Sequence, residues 1–352
     1  MSKNDIHRFP YEWRLADGYP AKGIEAHGKT VFGTFICGGG SSMGYKLAGF
    51  HHLGGVEIDE KIAAIYRENH HPEFLFNEDL RIFNERKDLP AELYNLDLLD
   101  GSPPCSTFSM AGSREDAWGK KKQFAEGQAV QTLDDLVFIY CETILKLQPK
   151  CFLLENVKGL TVGNAKSYLK RIVEKLRSGG YVSQVFVLNA ATMGVPQKRE
   201  RTFVIGHKKE FDLPKLQLNF SEAPIFFREV IDKSDNVCSL TEFEKKQWDA
   251  KIPTDRTMAD TSIRTRGKNA GFTRSWLKSG DVCPTLTTTE NIVYDFPRYL
   301  NESEICKIGS FPLDYKSPSR QKLLWMVGMS VPPVMTAQVA YQIYRQWLSR
   351  LD

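Results

Sequence analysis

A cysteine, a glutamate and two arginines could together support covalent chemistry on a ring. Cys105 follows a pair of prolines, which fix the backbone just before the sulfur. A thiolate is a strong nucleophile when nearby cations lower its pKa, and Arg199 and Arg201 could supply that field. Glu155 ends an apolar stretch, so partial burial could raise its pKa and let it donate a proton to a ring nitrogen. These groups suit attack on an electron-poor heterocycle.

Each of these residues also has a purely structural interpretation. Cys105 could be a packed, inert thiol, Glu155 a solvated acid, and the arginines surface charges. Each interpretation stands for a residue taken alone. Together they are strained, because all three kinds of group fall at strand ends on one predicted edge of a sheet, where open α/β sheets bind ligands.

Buried strands are predicted to position these groups. An apolar run at 96–100 predicts a strand that stops at Gly101, and residues 151–157 predict another. Amphipathic helices are predicted over 133–147 and 169–176. Strands and helices alternate to about residue 207, which predicts a largely parallel α/β sheet.

An earlier segment has the layout of a nucleotide-binding unit. Its order is a strand at 31–37, a glycine turn at 38–40, a short helix at 42–48 and a strand at 55–59. Glu57 lies 17 residues after Gly40, close to the spacing at which a carboxylate accepts two ribose hydroxyls. The sequence lacks G-x-G-x-x-G, so a dinucleotide is not favoured. Taken alone, the glycines fit a plain tight turn equally well.

Composition bounds the class of protein. The 352 residues carry a formal net charge of +4, with 41% hydrophobic and 26% charged residues, which fits a large globular domain with or without a smaller companion. The mild positive charge permits a polyanionic partner. None of the seven cysteines forms Cys-x-x-Cys, so no metal site is predicted, and their scatter indicates a reducing compartment. With no apolar leader and no run of membrane-spanning length, we expect a cytoplasmic protein.

The pattern changes after residue 207. Residues 208–297 contain short polar pieces, several prolines and little helical period, so we predict a smaller second domain there. Residues 1–207 are assigned to the first domain, with 1–29 as an N-terminal arm of no clear periodicity. Residues 298–352 are expected to return to the first domain through a helix at 336–348.

Two basic segments could meet a polyanion. Residues 113–128, which include Lys120 and Lys121, lack apolar periodicity and are predicted to form a mobile lid beside Cys105. Residues 262–276 interleave four cations with two aromatic rings, a composition that suits phosphate contact and base stacking. A solvated loop fits either segment as well.

Taken in order, the motifs resemble those of the DNA cytosine-5 methyltransferases of bacterial or phage restriction-modification systems. The resemblance extends from Phe35 to the final helix. It rests on the glycine loop at 35–45, the Pro-Cys loop at 101–112, Glu155-Asn156-Val157, Gln197-Lys198-Arg199-Glu200-Arg201, Pro284-Thr285-Leu286-Thr287, the segment 298–312 with Glu304, and 328–333. It implies an α/β fold: a Rossmann-like S-adenosylmethionine-dependent methyltransferase sheet with a smaller, irregular target-recognition domain at 208–297.

The resemblance implies S-adenosylmethionine as the cofactor. Phe35 would lie near the adenine, Glu57 would bind the ribose hydroxyls, and Asp79 would bind the adenine amino group. The implied cofactor contacts are Phe35, Gly38, Gly39, Gly40, Glu57, Ile58, Asp79, Pro103, Ser330 and Val331.

The resemblance also implies that the substrate is a specific duplex DNA sequence. The target cytosine would be flipped out, Cys105 would attack carbon 6, Glu155 would protonate or hydrogen-bond nitrogen 3, and Arg201 would hold the carbonyl oxygen. Arg199 would support the cysteine's loop. Carbon 5 would take the methyl group before proton loss and elimination of Cys105. The implied DNA contacts are Ser106, Lys120, Lys121, Gln197, Arg264, Arg266, Lys268 and Thr285.

Expected partners and two alternatives follow from the same resemblance. We expect a monomer without membrane contact, and a restriction endonuclease that acts on the same DNA sequence without a stable complex. One alternative is a tRNA cytosine-5 methyltransferase, although the Cys-Phe-Thr signature of those relatives is absent from the sequence. The other is a DNA-binding protein with reduced turnover, because Cys37 and Met329 replace the usual glycine and asparagine.

Overall fold

The chain divides into two units in the computed structural model, which describes residues 7–104, 121–122, 131–132, 136–163, 165–232, 239–269 and 274–351. The larger unit comprises Tyr19–Asn189, Glu200–Asn219 and Thr336–Asp352. The smaller unit comprises Met1–Gly18, Ala190–Arg199 and Phe220–Met335. Each unit is therefore assembled from three separate segments of sequence.

A seven-stranded sheet forms the centre of the larger unit. The strands in chain order are β1 (Thr30–Thr34), β2 (His51–Val56), β3 (Phe74–Phe76), β4 (Leu98–Gly101), β5 (Lys121–Lys122), β6 (Gln131–Thr132), β7 (Cys151–Val157), β8 (Tyr181–Asn189) and β9 (Glu200–Lys208). Strands β5 and β6 pair only with each other, and the remaining seven have the order β3-β2-β1-β4-β7-β9-β8. The pairs from β3 to β7 are parallel, and β9 is antiparallel to both neighbours. The predicted α/β class, with a largely parallel sheet, is confirmed.

The strand order reverses between β1 and β4, whose residues are buried almost throughout. Open α/β sheets bind ligands beyond the carboxyl ends of the strands at such a reversal. Because β9 is antiparallel, its first residues reach this edge, and Arg201 pairs with Val157 at the end of β7. One edge of the sheet thus receives residues from parallel strand ends and from the start of β9.

Five helices of the larger unit lie between the strands in sequence. They are α1 (Gly40–Leu47), α2 (Glu60–His70), α3 (Leu80–Glu85), α4 (Leu136–Leu147) and α5 (Ala165–Ser178). Helices α4 and α5 place Tyr140, Ile144 and Ile172 in one apolar cluster with Phe32 and Phe152 of the sheet. Full burial of such a side chain contributes about 1.5–3 kcal/mol, so this cluster anchors the strands that carry the edge.

The smaller unit contains short helices and two short strands. Its elements in chain order are α6 (Glu242–Ala250), α7 (Met258–Arg266), β10 (Trp276–Leu277), β11 (Ile292–Val293), α8 (Glu302–Gly309) and α9 (Arg320–Met329). The last helix, α10 (Pro333–Gln346), belongs to the larger unit from Thr336 onwards. Helices α6 and α7 form within 208–297, where the sequence shows little helical period. Both begin with a capping box, Thr241 with Glu244 and Thr257 with Asp260. Short helices of this kind depend on their caps more than on apolar period.

Part of the predicted N-terminal arm is buried in the smaller unit. Phe9, Tyr11 and Trp13 are buried, and the Trp13 indole N–H donates to the Ser310 carbonyl at 3.0 Å. The Leu313 N–H donates to the Trp13 carbonyl at 2.9 Å. The two units therefore do not follow the linear boundaries predicted at residues 207 and 297, and the predicted return segment is divided after Met335.

Within the described residues, one helical stretch, Arg320–Arg350, is long and apolar enough to cross a membrane. In the structure 89% of its most apolar window is buried inside the molecule. Burial to this degree is typical of a core helix in a globular protein.

Candidate active site

The predicted site residues of the larger unit lie at one edge of its sheet. They are the glycine loop after β1, Glu57 after β2, Asp79 after β3, Pro103 after β4, Glu155 near the end of β7 and Arg201 at the start of β9. Cys105, Ser106 and Lys120 lie outside the described residues, and only the backbone of Lys121 is described. The described part of the edge therefore consists of the groups that would surround the cysteine.

Glu155 and Arg201 form a buried ion pair. Strands β7 and β9 place both side chains on the same face, and Arg201 Nε lies 3.0 Å from Glu155 Oε1. Glu155 is only 7% exposed. Burial lowers the pKa of the Arg201 guanidinium and the charge of Glu155 raises it again, so Arg201 keeps its positive charge. The edge thus presents an acid and a cation that are held together.

Asn156 ties β7 to the Pro-Cys loop. Its side-chain amide donates to the Pro103 carbonyl at 3.2 Å, and its Oδ1 accepts the Val157 N–H at 2.9 Å. No role was predicted for this residue from the sequence. A signal was present, because a polar amide inside an apolar strand requires a buried partner. The bond anchors the backbone two residues before Cys105.

Asp100 is a second buried acid at this edge, and no role was predicted for it from the sequence. It is 4% exposed and pairs with Leu153 across the β4–β7 ladder, so it faces the same side of the sheet as Glu155. The Tyr45 hydroxyl donates to Asp100 Oδ1 at 3.0 Å. Burial raises the pKa of Asp100 to about 7, with a further contribution from the charge of Glu155.

Glu57 is held between the glycine loop and α2. Its Oε2 accepts the Cys37 N–H at 2.9 Å, and its Oε1 accepts the Asp59 N–H at 3.0 Å. Burial raises the pKa of Glu57 to about 6, although both hydrogen bonds act against that rise. Two N–H donors leave lone pairs on each carboxylate oxygen. This carboxylate can therefore accept the hydroxyls of a ribose.

The loop after β1 adopts left-handed backbone at several positions. Phe35, Cys37 and Gly39 have φ of 56°, 46° and 77°. A non-glycine residue pays roughly 1–2 kcal/mol for this conformation, so Cys37 is accommodated at the cost of strain. Helix α1 begins at Gly40, and its first N–H groups have no acceptor within the helix. An anionic group fits there, so the loop suits the carboxylate end of S-adenosylmethionine.

The other predicted cofactor contacts of the larger unit have structural partners. Asp79 caps α3 through the Arg81 N–H at 2.8 Å and pairs with the Arg81 guanidinium at 3.0 Å. Ile58 follows Glu57, whose carbonyl accepts from the Asn77 amide at 2.7 Å. Their contacts with a cofactor stay predictions.

Gln197 and Arg199 bind main-chain groups of the smaller unit. The Gln197 amide donates to the Ile308 carbonyl at 2.9 Å and accepts the Leu286 N–H at 3.2 Å, with 1% of the residue exposed. Arg199 donates to the carbonyls of Leu286 at 3.0 Å and of Gly328 and Ser330 at 2.9 Å. These bonds differ from the DNA contact predicted for Gln197 and the loop support predicted for Arg199.

Three other predicted site residues of the smaller unit are Thr285, Ser330 and Val331. The Thr285 hydroxyl donates to the Lys198 carbonyl at 2.6 Å. Ser330 and Val331 are buried, and Met329 between Gly328 and Ser330 is 44% exposed. A cofactor contact of Ser330 and Val331, and a DNA contact of Thr285, stay predictions.

The described part of the basic segment, residues 262–269 and 274–276, begins within a helix, and Phe272 lies outside the described residues. Helix α7 runs through Arg266, and the Trp276 ring is buried with its N–H on the Thr261 hydroxyl at 3.1 Å. Trp276 is therefore not available for base stacking. Arg264 pairs with Asp255 at 2.7 Å, whereas Lys268 is exposed. Within this segment the Arg264 guanidinium has a structural partner that would compete with phosphate.

The part of the chain that the structure describes contains no group of three or more His, Cys, Asp or Glu side chains able to hold a metal ion.

Known proteins place this geometry in a family. The model of the C-5 cytosine-specific DNA methylase family matches residues 31–345, and the chain belongs to that family. The type II methyltransferase M.FnuDI of Fusobacterium nucleatum is 27% identical over 338 residues, 88% of this chain and 92% of that protein. M.XorII of Xanthomonas oryzae pv. oryzae is 33% identical over 195 residues, and this match covers 51% of the chain but only 41% of that protein.

A solved structure shares the fold. A candidate DNA modification methyltransferase encoded within an E. coli prophage superposes with a TM-score of 0.68 at 20% identity, covering 90% of this chain and 99% of that one. The protein is thus a DNA cytosine-5 methyltransferase of the restriction-modification type, in a family that uses S-adenosylmethionine, and DNA is its substrate. The predicted family is confirmed.

Proposed function

We propose that this enzyme methylates carbon 5 of a cytosine flipped out of a specific duplex DNA sequence, through a covalent adduct with Cys105. The carrying observation is the buried Glu155–Arg201 pair beside the loop that Asn156 anchors. The proposal assigns Cys105, which follows Pro104 in sequence, to the same site as this acid and this cation. Flipping costs a few kcal/mol of unstacking and unpairing.

The side chains would act on different atoms of the ring. The Cys105 thiolate adds to carbon 6, Glu155 hydrogen-bonds nitrogen 3, and Arg201 binds the carbonyl oxygen. As the carbon 6–sulfur bond forms, the π bond between carbons 5 and 6 breaks, and its electron pair makes carbon 5 nucleophilic. After carbon 5 gains a methyl group it loses its proton, and the carbon 6–sulfur bond breaks, which restores the aromatic ring and frees the thiolate.

S-adenosylmethionine supplies that methyl group when bound. Glu57 would accept the ribose hydroxyls, because its carboxylate is oriented by two backbone N–H groups and keeps free lone pairs. The start of α1 at Gly40 would hold the carboxylate of the methionine part. Phe35 and Asp79 would lie at the adenine.

Transfer of labelled methyl groups to duplex DNA tests this proposal. We expect 5-methylcytosine at one sequence context by bisulfite sequencing, and no transfer by Cys105→Ser. Cys141→Ala is the matched control, because this thiol is buried in α4 and burial raises its pKa to about 12. Transfer by Cys105→Ser at the wild-type rate, or labelling of tRNA in preference to duplex DNA, would overturn the proposal.

We infer that the smaller unit carries target recognition, as the region 208–297 was predicted to do. The exposed residues Arg266 and Lys268 support phosphate contact at the end of α7. Ser106, Lys120 and Lys121 would add contacts near the cysteine. Exchange of residues 239–269 for the corresponding segment of a relative with another recognition sequence should change which sites are methylated, and unchanged sites would contradict the assignment.

We also propose that the protein is a monomer in the cytoplasm. A restriction endonuclease would act on the same recognition sequence. The support is the type II methyltransferase names of the relatives. Sedimentation of the enzyme should give a single monomeric species, and DNA methylated by it should resist the endonuclease. A stable dimer or a co-purifying nuclease would contradict these two points.

A further inference from the structure

Helix α2 connects the two parts of the proposed cofactor site. At its start, the Asp59 N–H binds Glu57 Oε1 at 3.0 Å, and the Asp59 side chain caps the helix through Lys61 and Ile62. At its end, Tyr66 and His70 lie one turn apart with stacked rings, 4.2 Å between centroids and 9° between planes. One helix therefore contacts both the acid that would bind ribose and the region of the glycine loop.

The His70 ring supports the glycine loop from behind. Its Nε2 lies 3.3 Å from the Gly38 carbonyl. Since a carbonyl can only accept, Nε2 carries the proton in this bond. A Cβ on residue 39 would overlap the imidazole ring. Gly39 is thus required both by its left-handed backbone and by the ring that packs against it.

Two further bonds join α2 to α1. The Tyr66 hydroxyl donates to the Ser42 hydroxyl at 3.0 Å, and the Lys46 ammonium donates to the His70 carbonyl at 3.0 Å. Both rings are buried. Burial, together with the charge of Lys46, lowers the pKa of His70 to about 3, so the imidazole is neutral near pH 7. Its bond to Gly38 is therefore maintained across the physiological range.

We propose that Tyr66 and His70 are positioning residues for S-adenosylmethionine, holding the glycine loop and the start of α1 in the conformation that receives it. The inference rests on the proposed function, because it takes this loop as the cofactor site. The pair acts on cofactor affinity and leaves the methyl-transfer step itself unchanged. The ring stack of Tyr66 and His70 and the Glu155–Arg201 ion pair are formed by different residues.

Two conservative variants of the full chain separate the contacts. His70→Phe keeps a ring against Tyr66 and Gly39 but loses the N–H that binds Gly38. Tyr66→Phe keeps the stack and loses the bond to Ser42. His71→Asn is the matched control, because His71 is the next residue, is exposed, and has a φ of 46° that asparagine tolerates.

Affinity for S-adenosylmethionine and S-adenosylhomocysteine is measured by calorimetry, and kcat and KM by methyl transfer to duplex DNA. We expect each of the two variants to raise the cofactor Kd and KM about five- to tenfold, the effect of one lost hydrogen bond. In both variants the kcat and the KM for DNA should stay within about twofold of wild type. In the control His71→Asn, all of these constants should stay within about twofold.

Other outcomes overturn separate statements. Unchanged cofactor Kd and KM in both variants would remove the positioning role, even with a lower Tm. Loss of kcat at unchanged KM would do the same. If His70→Phe does not fold, Tyr66→Phe alone decides between these results. If the wild-type protein binds neither cofactor form, the cofactor site of the proposed function fails, and the inference fails with it.

Discussion

Arg199 and Arg201 stand two positions apart in one motif and do different work in two regions. Arg201, at the sheet edge of the larger unit, pairs with the carboxylate of Glu155 at 3.0 Å. Arg199, in the smaller unit, donates to three main-chain carbonyls at 2.9–3.0 Å. At the edge, the charge of Arg201 is paired with the charge of Glu155. In the smaller unit, the charged group of Arg199 satisfies main-chain carbonyls. Substitutions at the edge should therefore change chemistry, and substitutions in the smaller unit should change stability.

The largest effect is expected from the acid of the edge. Glu155→Gln keeps the shape of the side chain and loses the acid, so kcat should fall about 10²- to 10⁴-fold, the usual contribution of a positioned proton donor. Urea denaturation should show a folded protein. A kcat within tenfold of wild type would remove Glu155 from the chemistry and weaken the contrast with the smaller unit.

The second acid of the edge makes a stability prediction that depends on pH. The folded protein holds the Asp100 proton up to about pH 7, whereas the ordinary carboxyl pKa is 3.8. Because the folded value is the higher one, the associated stability is full below about pH 4 and is lost as the pH rises towards 7. Relative to Asp100→Asn, the wild type should lose up to roughly 4 kcal/mol over this range.

The free energies of unfolding of wild type and Asp100→Asn, measured in urea from about pH 4.5 to 7.5, check this expectation. Other titrating groups act on both proteins and cancel in the difference. Parallel curves would show that Asp100 is ionised in the folded protein, and that the edge holds its acids by hydrogen bonds alone.

A matched pair of lysine substitutions tests the two arginines directly. Arg199→Lys replaces a planar fork by an ammonium that cannot reach all three carbonyls, so stability should fall by about 2 kcal/mol. Arg201→Lys keeps a charge beside Glu155, so stability should change less while methyl transfer weakens. Urea denaturation followed by tryptophan fluorescence measures the free energy of unfolding of each variant. Equal losses of stability in both variants would contradict the comparison.

The smallest effects concern the basic end of α7. Lys268→Gln should reduce the slope of log K against log salt by about 1 if the lysine meets a phosphate. Arg264→Gln should instead lower the Tm modestly, because it removes the cation that pairs with the buried carboxylate of Asp255 and leaves that carboxylate only its hydrogen bonds from the described residues Thr261 and Ile252. A flatter slope for Arg264→Gln with an unchanged Tm would reassign Arg264 to DNA.

Local sequence patterns were sufficient for the sheet and most of its edge. Apolar runs before Gly101 and through Glu155 predicted strands, because buried parallel strands read as continuous apolar segments. The partners of Gly39, Asp100 and Asn156 could not be predicted, because His70, Tyr45 and Pro103 are 31, 55 and 53 residues away in sequence. Such contacts exist only once the sheet has formed.

Helices α6 and α7 could have been found from the sequence. Thr241 and Glu244, and Thr257 and Asp260, have the spacing of capping boxes before short polar helices. These capping residues predict the start of each helix even where the apolar residues have no helical period, as at 208–297. The bonds of Gln197 and Arg199 had no comparable local signal, because their carbonyl partners carry no side-chain identity.

Each unit is assembled from segments that begin and end far apart in sequence. The smaller unit joins Met1–Gly18 to Phe220–Met335, and the larger one joins Tyr19–Asn189 to Thr336–Asp352. On the ribosome, the smaller unit has all its segments only once Met335 has been synthesised, and the larger unit only once Thr336–Asp352 has followed. Trp13 forms hydrogen bonds with Ser310 and Leu313, which are synthesised much later. Folding of the smaller unit therefore requires the late closure of a long loop. We therefore expect chaperones to bind a nascent chain that is stalled near residue 300, because both of its units are incomplete.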